Sequence, residues 1–212
     1  MIRKIFLLLP MVSFFAIGFA QDSIIQLLPT TSFNSGKTVM QALNDRHSTR
    51  EFSDKELSLQ QLSDLLWSAD GINRKEIDKR TAPSAMNKQE IDIYVFLKTG
   101  IYRYDAHTLQ LILITAGDHR AAAGMQDYVA SAPVNLVYVA DYSKMGGNDE
   151  SKQVYSSADA AFIGENVYLY CSAFDLACVF RASIDKDAAA KLMNLKETQK
   201  VVSAQTVGFP AK

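Results

Sequence analysis

Arg46-His47-Ser48-Thr49-Arg50 sets two guanidinium groups four residues apart with a hydroxyl between them. Each arginine offers a planar fork of N–H donors and Ser48 adds a short, directional one, a set that suits a phosphate. The competing reading leaves both arginines in solvent or pairs them with carboxylates such as Asp45 and Glu51. A second stretch, Arg80-Thr81-Ala82-Pro83-Ser84-Ala85-Met86-Asn87-Lys88-Gln89, is a polar loop whose small residues around Pro83 let a planar ligand approach the backbone. Asn87 and Gln89 each carry a donor and an acceptor, which suits a ring edge with alternating O and N–H; the alternative is an ordinary surface loop. His47, His107 and His119 are scattered, and no His or Cys sits at metal-ligand spacing, so no metal site is expected.

The elements that position these stretches come from a chain of 212 residues, 48% hydrophobic and 21% charged. That composition supports a proper core and excludes disorder, collagen-like repetition and a disulfide-stapled mini-fold. A formal net charge of −1 argues against a nucleic-acid binder. Arg3 and Lys4 precede an apolar run, Ile5 to Phe19, and Gly18 and Ala20 stand where a signal peptidase reads small residues. The run of about fifteen residues is shorter than the roughly twenty that a membrane span needs, so residues 1–20 read as a secretory signal peptide, with an uncleaved anchor as the alternative. Its removal leaves 192 residues with 20 basic and 23 acidic side chains, a net charge of −3. The expectation is one exported domain, residues 21–212, periplasmic or extracellular, with no membrane span after cleavage.

After a polar lead, Thr38 to Asn44 reads as a short helix carrying Val39, Met40 and Leu43 inward. Ser58 and Gln61 form a capping box for a second helix, whose inner face is Leu59, Leu62, Leu65, Leu66 and Ala69 and whose C-cap is Gly71. Ile91 to Leu97, Ile101 to Tyr104 and Leu109 to Ile114 are strands joined by tight turns, an antiparallel meander. Asp118 to Tyr128 is expected to be helical, and Val134 to Ala140 a strand. A long helix follows from about Gln153 to Phe174. Ala158, Ala161, Phe162, Leu169 and Ala173 fall on one stripe of it with Glu165 in the middle, placing that carboxylate in a site or opposite a cation across an interface. Strands at Leu176 to Arg181 and Lys200 to Val207 flank a short helix, Lys186 to Met193. The fold class is α+β. Cys171 and Cys178, seven apart near a helix end, are expected to be buried free thiols.

The ordered set of motifs resembles the FMN-dependent nitroreductase superfamily. Arg80-Thr81-Ala82-Pro83-Ser84-Ala85, Gly100-Ile101-Tyr102-Arg103-Tyr104-Asp105 and the closing Gly208-Phe209-Pro210 are similar to its peptide-thiazoline dehydrogenase branch. The resemblance covers about Leu28 to Ala211. It implies a nitroreductase-like fold, a mostly antiparallel central sheet flanked by helices, assembled as a homodimer with an FMN at each of two sites between the subunits. It maps Arg46, Ser48 and Arg50 onto the flavin phosphate and ribityl chain, with His47 in the same segment. It also maps Asn87 onto the ring edge, with Pro83 and Ser84 nearby, and a backbone amide of Val179 to Ser183 onto flavin N5.

Two departures stand out. Phe180-Arg181-Ala182-Ser183 replaces a frequent Gly pair, and the basic residue that many members carry beyond the Gly-aromatic-Pro motif leaves a choice between Lys212 and Arg181, of which Arg181 is adopted here. The implied activity is hydride or electron transfer through the flavin to or from a small planar or conjugated substrate, with NAD(P)H as the reductant. Another protein or a quinol is the alternative reductant outside the cytoplasm. The flavin carries the redox chemistry, so no catalytic side chain is assigned. The competing functions are a ring dehydrogenase of the thiazoline type and a flavin-binding protein with little or no turnover.

Overall fold

The structure is a computed structural model, and it describes residues 24–27 and 36–211. The expected signal segment and Lys212 lie outside the described residues. The elements in chain order are β1 (Ile24–Gln26), α1 (Val39–Asp45), α2 (Leu59–Asp70), β2 (Ile72–Arg74), β3 (Lys79–Arg80), β4 (Ile91–Leu97), β5 (Gly100–Asp105), β6 (Gln110–Ala116), α3 (Tyr128–Ser131), β7 (Val134–Asp141), α4 (Asp149–Ala173), β8 (Ala177–Arg181), α5 (Lys186–Leu192) and β9 (Gln199–Gly208). Seven strands form one sheet in the order β1-β6-β5-β4-β7-β9-β8, and every neighbouring pair is antiparallel. This is the expected α+β, nitroreductase-like arrangement.

Helices cover both faces, which is why the central strands read as near-continuous apolar runs. Along β4, Ile91, Ile93 and Val95 enter one core while Tyr94 and Phe96 enter the other, and β7 divides Leu136 and Tyr138 from Val137 and Val139 in the same way. The first core packs under α2 and α4; the second packs under α5 and a 3-10 turn at Arg120–Ala123. Cys171 and Cys178 are buried and free, and the chain turns between them with Leu176 N–H donating to the Cys171 carbonyl. Tyr102 and Tyr104 are buried on β5. None of the described helices is long and apolar enough to cross a membrane.

Several expectations need correction. The polar lead contains β1, paired with β6, and a small hairpin of β2 and β3 follows α2. Asp118 to Tyr128 is not one helix: a single 3-10 turn gives way to extended backbone at Gly124, where a Cβ would lie 2.5 Å from Arg181 Nε. Gly71 does cap α2, but with an extended backbone; glycine is required there because a Cβ would meet Trp67 at 2.4 Å.

Two helix faces are reversed. On α1 the inward residue is Ala42, while Val39, Met40 and Leu43 are exposed. The capping box of Thr38 with Gln41 and the bond from Ser172 Oγ to the Ala42 carbonyl at 2.8 Å fix that orientation. On α4 Ala158, Ala161, Phe162 and Glu165 of the expected inner stripe face outward, while Leu169 and Ala173 are half-buried. The buried stripe is Ser156, Asp159, Ala160, Ile163, Gly164, Val167, Tyr170 and Cys171, leaving Phe162 and Glu165 exposed.

Candidate functional site

Arg46 is the C-cap of α1, and from it the segment 46–53 is laced to the edge of the sheet. Thr49 N–H donates to the Cys178 carbonyl of β8 at 2.9 Å, Phe52 pairs with Pro210, and Ser53 N–H donates to the Phe209 carbonyl. Those bonds turn Arg46, His47, Ser48 and Arg50 outward without spending their side chains on the core.

Tyr168, on α4, ties this segment to β8. Its hydroxyl lies 2.7 Å from Ser48 Oγ and accepts from Phe180 N–H at 2.9 Å, and the Arg46 guanidinium sits 5.3 Å from its ring centroid. Because the hydroxyl already accepts from Phe180, its own proton is available to Ser48. The strand–Tyr168–Ser48 chain therefore joins the first motif to the segment that the resemblance places at flavin N5.

Neither Arg46 nor Arg50 makes an ion pair with any described carboxylate. Asp45 is instead bonded to Asn44, which with Lys37 holds its carboxyl below the ordinary range, and His47 Nδ1 lies 2.7 Å from the Asp45 carbonyl. The pairing of the arginines with Asp45 or Glu51 is not what the structure shows. Two uncompensated guanidinium groups flank a positioned hydroxyl on an open surface.

The second motif lies elsewhere on the molecule. Arg80 is committed to the Asp70 carbonyl at 3.0 Å and to Gln89 Oε1 at 3.0 Å, and Gln89 Nε2 donates to the Asp78 carbonyl. Gln89 is thus a structural brace and not a ring-edge ligand. Ser84 Oγ accepts from Gln89 N–H, and Ala85 N–H donates to Asp159 Oδ2 at 2.8 Å. Pro83 and Asn87 are exposed, and the Asn87 side chain has no partner among the described residues.

Arg181 joins neither group. It is 7% exposed, and its terminal nitrogens donate to Thr206 Oγ1, the Ala123 carbonyl and Asn135 Oδ1. Strand alternation sends it to the sheet face opposite Phe180 and α4, so it is a core residue and not the phosphate ligand expected of it. Burial lowers its pKa to about 10.

The two motifs meet α4 at Tyr168 and Asp159, nine residues apart, which is about 14 Å along the axis and half a turn around it. Between them, on the outward side, run Ala158, Ala161, Phe162 and Glu165, and Val39, Met40 and Leu43 of α1 are exposed as well. Sequence patterning missed Tyr168 and Asp159, whose roles depend on which side of the helix is buried.

A seven-stranded antiparallel sheet between helical layers, with an arginine–serine segment laced to its edge, defines an α+β fold with a cationic segment at the sheet margin. The chain belongs to the nitroreductase family, whose family model matches residues 43–209. It is similar to a candidate nitroreductase from Ralstonia eutropha JMP134, solved as a crystal structure, with 40% identity and a TM-score of 0.84 over 90% of this chain and 91% of that one. The candidate nitroreductase MJ1384 of Methanocaldococcus jannaschii is 27% identical over 165 residues, 72% of this chain and 82% of its own. A candidate nitroreductase from Desulfovibrio desulfuricans, crystallised in complex with FMN, shares the fold at 22% identity and a TM-score of 0.58 over 83% of this chain and 88% of that one.

Proposed function

We propose that this protein is an FMN-dependent oxidoreductase that transfers hydride or electrons to or from a small planar or conjugated substrate. The observation that carries this reading is the pair of uncompensated guanidinium groups of Arg46 and Arg50 on either side of Ser48. The donor set fits a phosphate: two cationic forks and one hydroxyl held in place by Tyr168. Bound FMN supplies the redox chemistry at its isoalloxazine ring. Arg46, Ser48 and Arg50 anchor its phosphate and ribityl chain, His47 borders the chain, and backbone amides of residues 179–183 lie on the side of the ring. Pro83, Ser84 and Asn87 present an exposed edge with both hydrogen-bonding senses.

The two motifs stand on opposite borders of α4, so one ligand engages both only when a second copy supplies one of them. The apolar stripe of Phe162, Val39, Met40 and Leu43 is the surface we assign to that homodimer contact. NAD(P)H is the proposed reductant. Export is proposed on the charged start and short apolar run of residues 1–20.

The test is flavin binding. Purified protein should be yellow with about one FMN per subunit, and Arg46→Ala with Arg50→Ala should weaken FMN binding by more than about 2 kcal/mol, or roughly thirtyfold. A colourless protein that takes up no added FMN overturns the cofactor; an unchanged affinity in the double variant overturns the site. Bleaching of bound flavin by NADH or NADPH in stopped flow tests the reductant.

A further inference from the structure

The loop between β3 and β4 is anchored by two buried carboxyl groups that the proposed cofactor site does not explain. Met86, Asn87 and Gln89 all have positive φ, at 52°, 55° and 47°, a backbone that residues other than glycine adopt rarely and that needs external support. Part of that support is the bond from Ala85 N–H to Asp159 Oδ2 at 2.8 Å. The rest sits one residue beyond the loop: Glu90 is fully buried, and neither of its carboxyl oxygens meets a donor from another described residue. Its carboxyl interacts with that of Asp159, itself 3% exposed and bonded to the loop through Ala85. Two facing carboxyl groups bond only when one of them carries a proton.

The charged groups around the pair do not take over that role. Arg80 of β3 is spent on Asp70 of α2 and on Gln89. Lys144 donates to the Gln89 carbonyl at 3.1 Å and lies 3.7 Å from Asp92 of β4. Tyr104 of β5 has a buried hydroxyl with no hydrogen-bond partner among the described residues. Asp70 adds further negative charge.

We propose that a proton held on Glu90 is donated to the Asp159 carboxyl and that the two residues together hold the Ser84–Asn87 turn in the conformation that presents Pro83 and Asn87 to a ligand, so that the order of this loop depends on pH. Both are positioning residues acting through the loop backbone. Burial, reinforced by the facing Asp159 carboxyl, raises Glu90 to about 7, which places the transition near neutrality. Below it the proton bridges the pair. Above it two buried carboxylates repel, and the grip on Ala85 loosens. The ligand's identity rests on the proposed function; the pH dependence of the loop does not.

The full-length protein without added flavin gives the test. Hydrogen exchange of amides 84–90, corrected for intrinsic rate and referred to β4 amides such as Val95, should show protection falling about tenfold between about pH 6 and about pH 8, the limit set by one proton. Glu90→Gln keeps a donor toward Asp159 and should hold protection flat. If that variant does not fold, Asp159→Asn makes the same test, since its amide accepts from Ala85 and donates to Glu90. Flat protection in the wild type, or an equal fall in the variants, overturns the pair. In parallel titrations FMN affinity should fall with pH in the wild type and not in Glu90→Gln; a loop that titrates while FMN affinity stays constant overturns the ligand-presenting role. If no FMN binds at any pH, the proposed function fails while the exchange result still decides the pair.

Discussion

Tyr168→Phe removes one oxygen and leaves the ring, so it isolates the hydroxyl that joins β8 to Ser48. Two bonds are lost, to Ser48 Oγ at 2.7 Å and from Phe180 N–H at 2.9 Å. The Phe180 N–H then sits in a partly buried strand without an acceptor, which should cost about 1–2 kcal/mol of stability. Ser48 loses the partner that orients it, and FMN binding should weaken by about 1 kcal/mol, or roughly fivefold. The Arg46 contact with the ring survives, because phenylalanine still offers a π face to the guanidinium 5.3 Å away. Quenching of FMN fluorescence measures the affinity and urea melts measure the stability. Ser48→Ala alone and combined with Tyr168→Phe completes a double-mutant cycle, for which a coupling of about 1 kcal/mol in FMN affinity is expected. Additive effects on affinity, or a stability loss with no change in binding, would show that Tyr168 supports the strand and does not position the ligand site.

Burial raises both Asp70 and Glu90 to about 7, from ordinary values of 3.8 and 4.5. The folded state therefore holds more protons than the unfolded chain across that window, and stability should decline as pH rises from about 4 through about 7 and level off above. Asp118, held low by Arg120, completes its opposite contribution below about pH 4 and does not mask the trend. Urea midpoints at about pH 5 and about pH 8 check it, and a higher midpoint at the upper pH refutes it. Gly164→Ala puts a Cβ 2.6 Å from the Phe180 ring in a buried contact and should cost about 1–3 kcal/mol; a neutral result would mean that β8 can move away from α4. Phe162→Asp places a charge on the exposed apolar stripe of α4 and should yield monomers by sedimentation velocity with unchanged far-UV dichroism, whereas an unchanged mass refutes that face as the dimer contact.

The sheet was legible because its strands carry their own signals. The meander of β4, β5 and β6 and the long strand β9 follow from period, β-branched content and turn residues, and the Ser58–Gln61 capping box marked the start of α2 correctly. The short strands escaped, since three residues in β1 and two in β3 form only because a partner strand is already present. The helical expectation at Asp118 to Tyr128 failed for a tertiary reason, the Arg181 side chain lying over Gly124. Among site residues, the spacing of Arg46, Ser48 and Arg50 marked an exposed cationic segment. It could not reveal whether the arginines would be neutralised by neighbours, a matter that Lys37 and Asn44 decide by engaging Asp45.

Helix α4 misled a patterning argument for an instructive reason. Residues expected to face inward, Phe162 and Glu165 among them, are exposed, while its buried stripe mixes Ala160, Ile163, Val167, Tyr170 and Cys171 with Ser156, Asp159 and Gly164. Such a mixed face buries apolar area and also fixes the helix by particular contacts. Gly164 admits the Phe180 ring and the Gln205 amide, Asp159 takes the Ala85 N–H and Tyr170 Oη donates to the Gln61 carbonyl. The same contacts set the rotation of the helix, and that rotation places Tyr168 toward the arginine segment and Asp159 toward the strained loop. Set by polar and steric fit as well as by apolar burial, that rotation holds both motifs in fixed register and leaves Phe162 exposed. Phe162 is the side chain that the proposed dimer would cover, and it lies on the side of α4 that separates the two halves of the proposed ligand site.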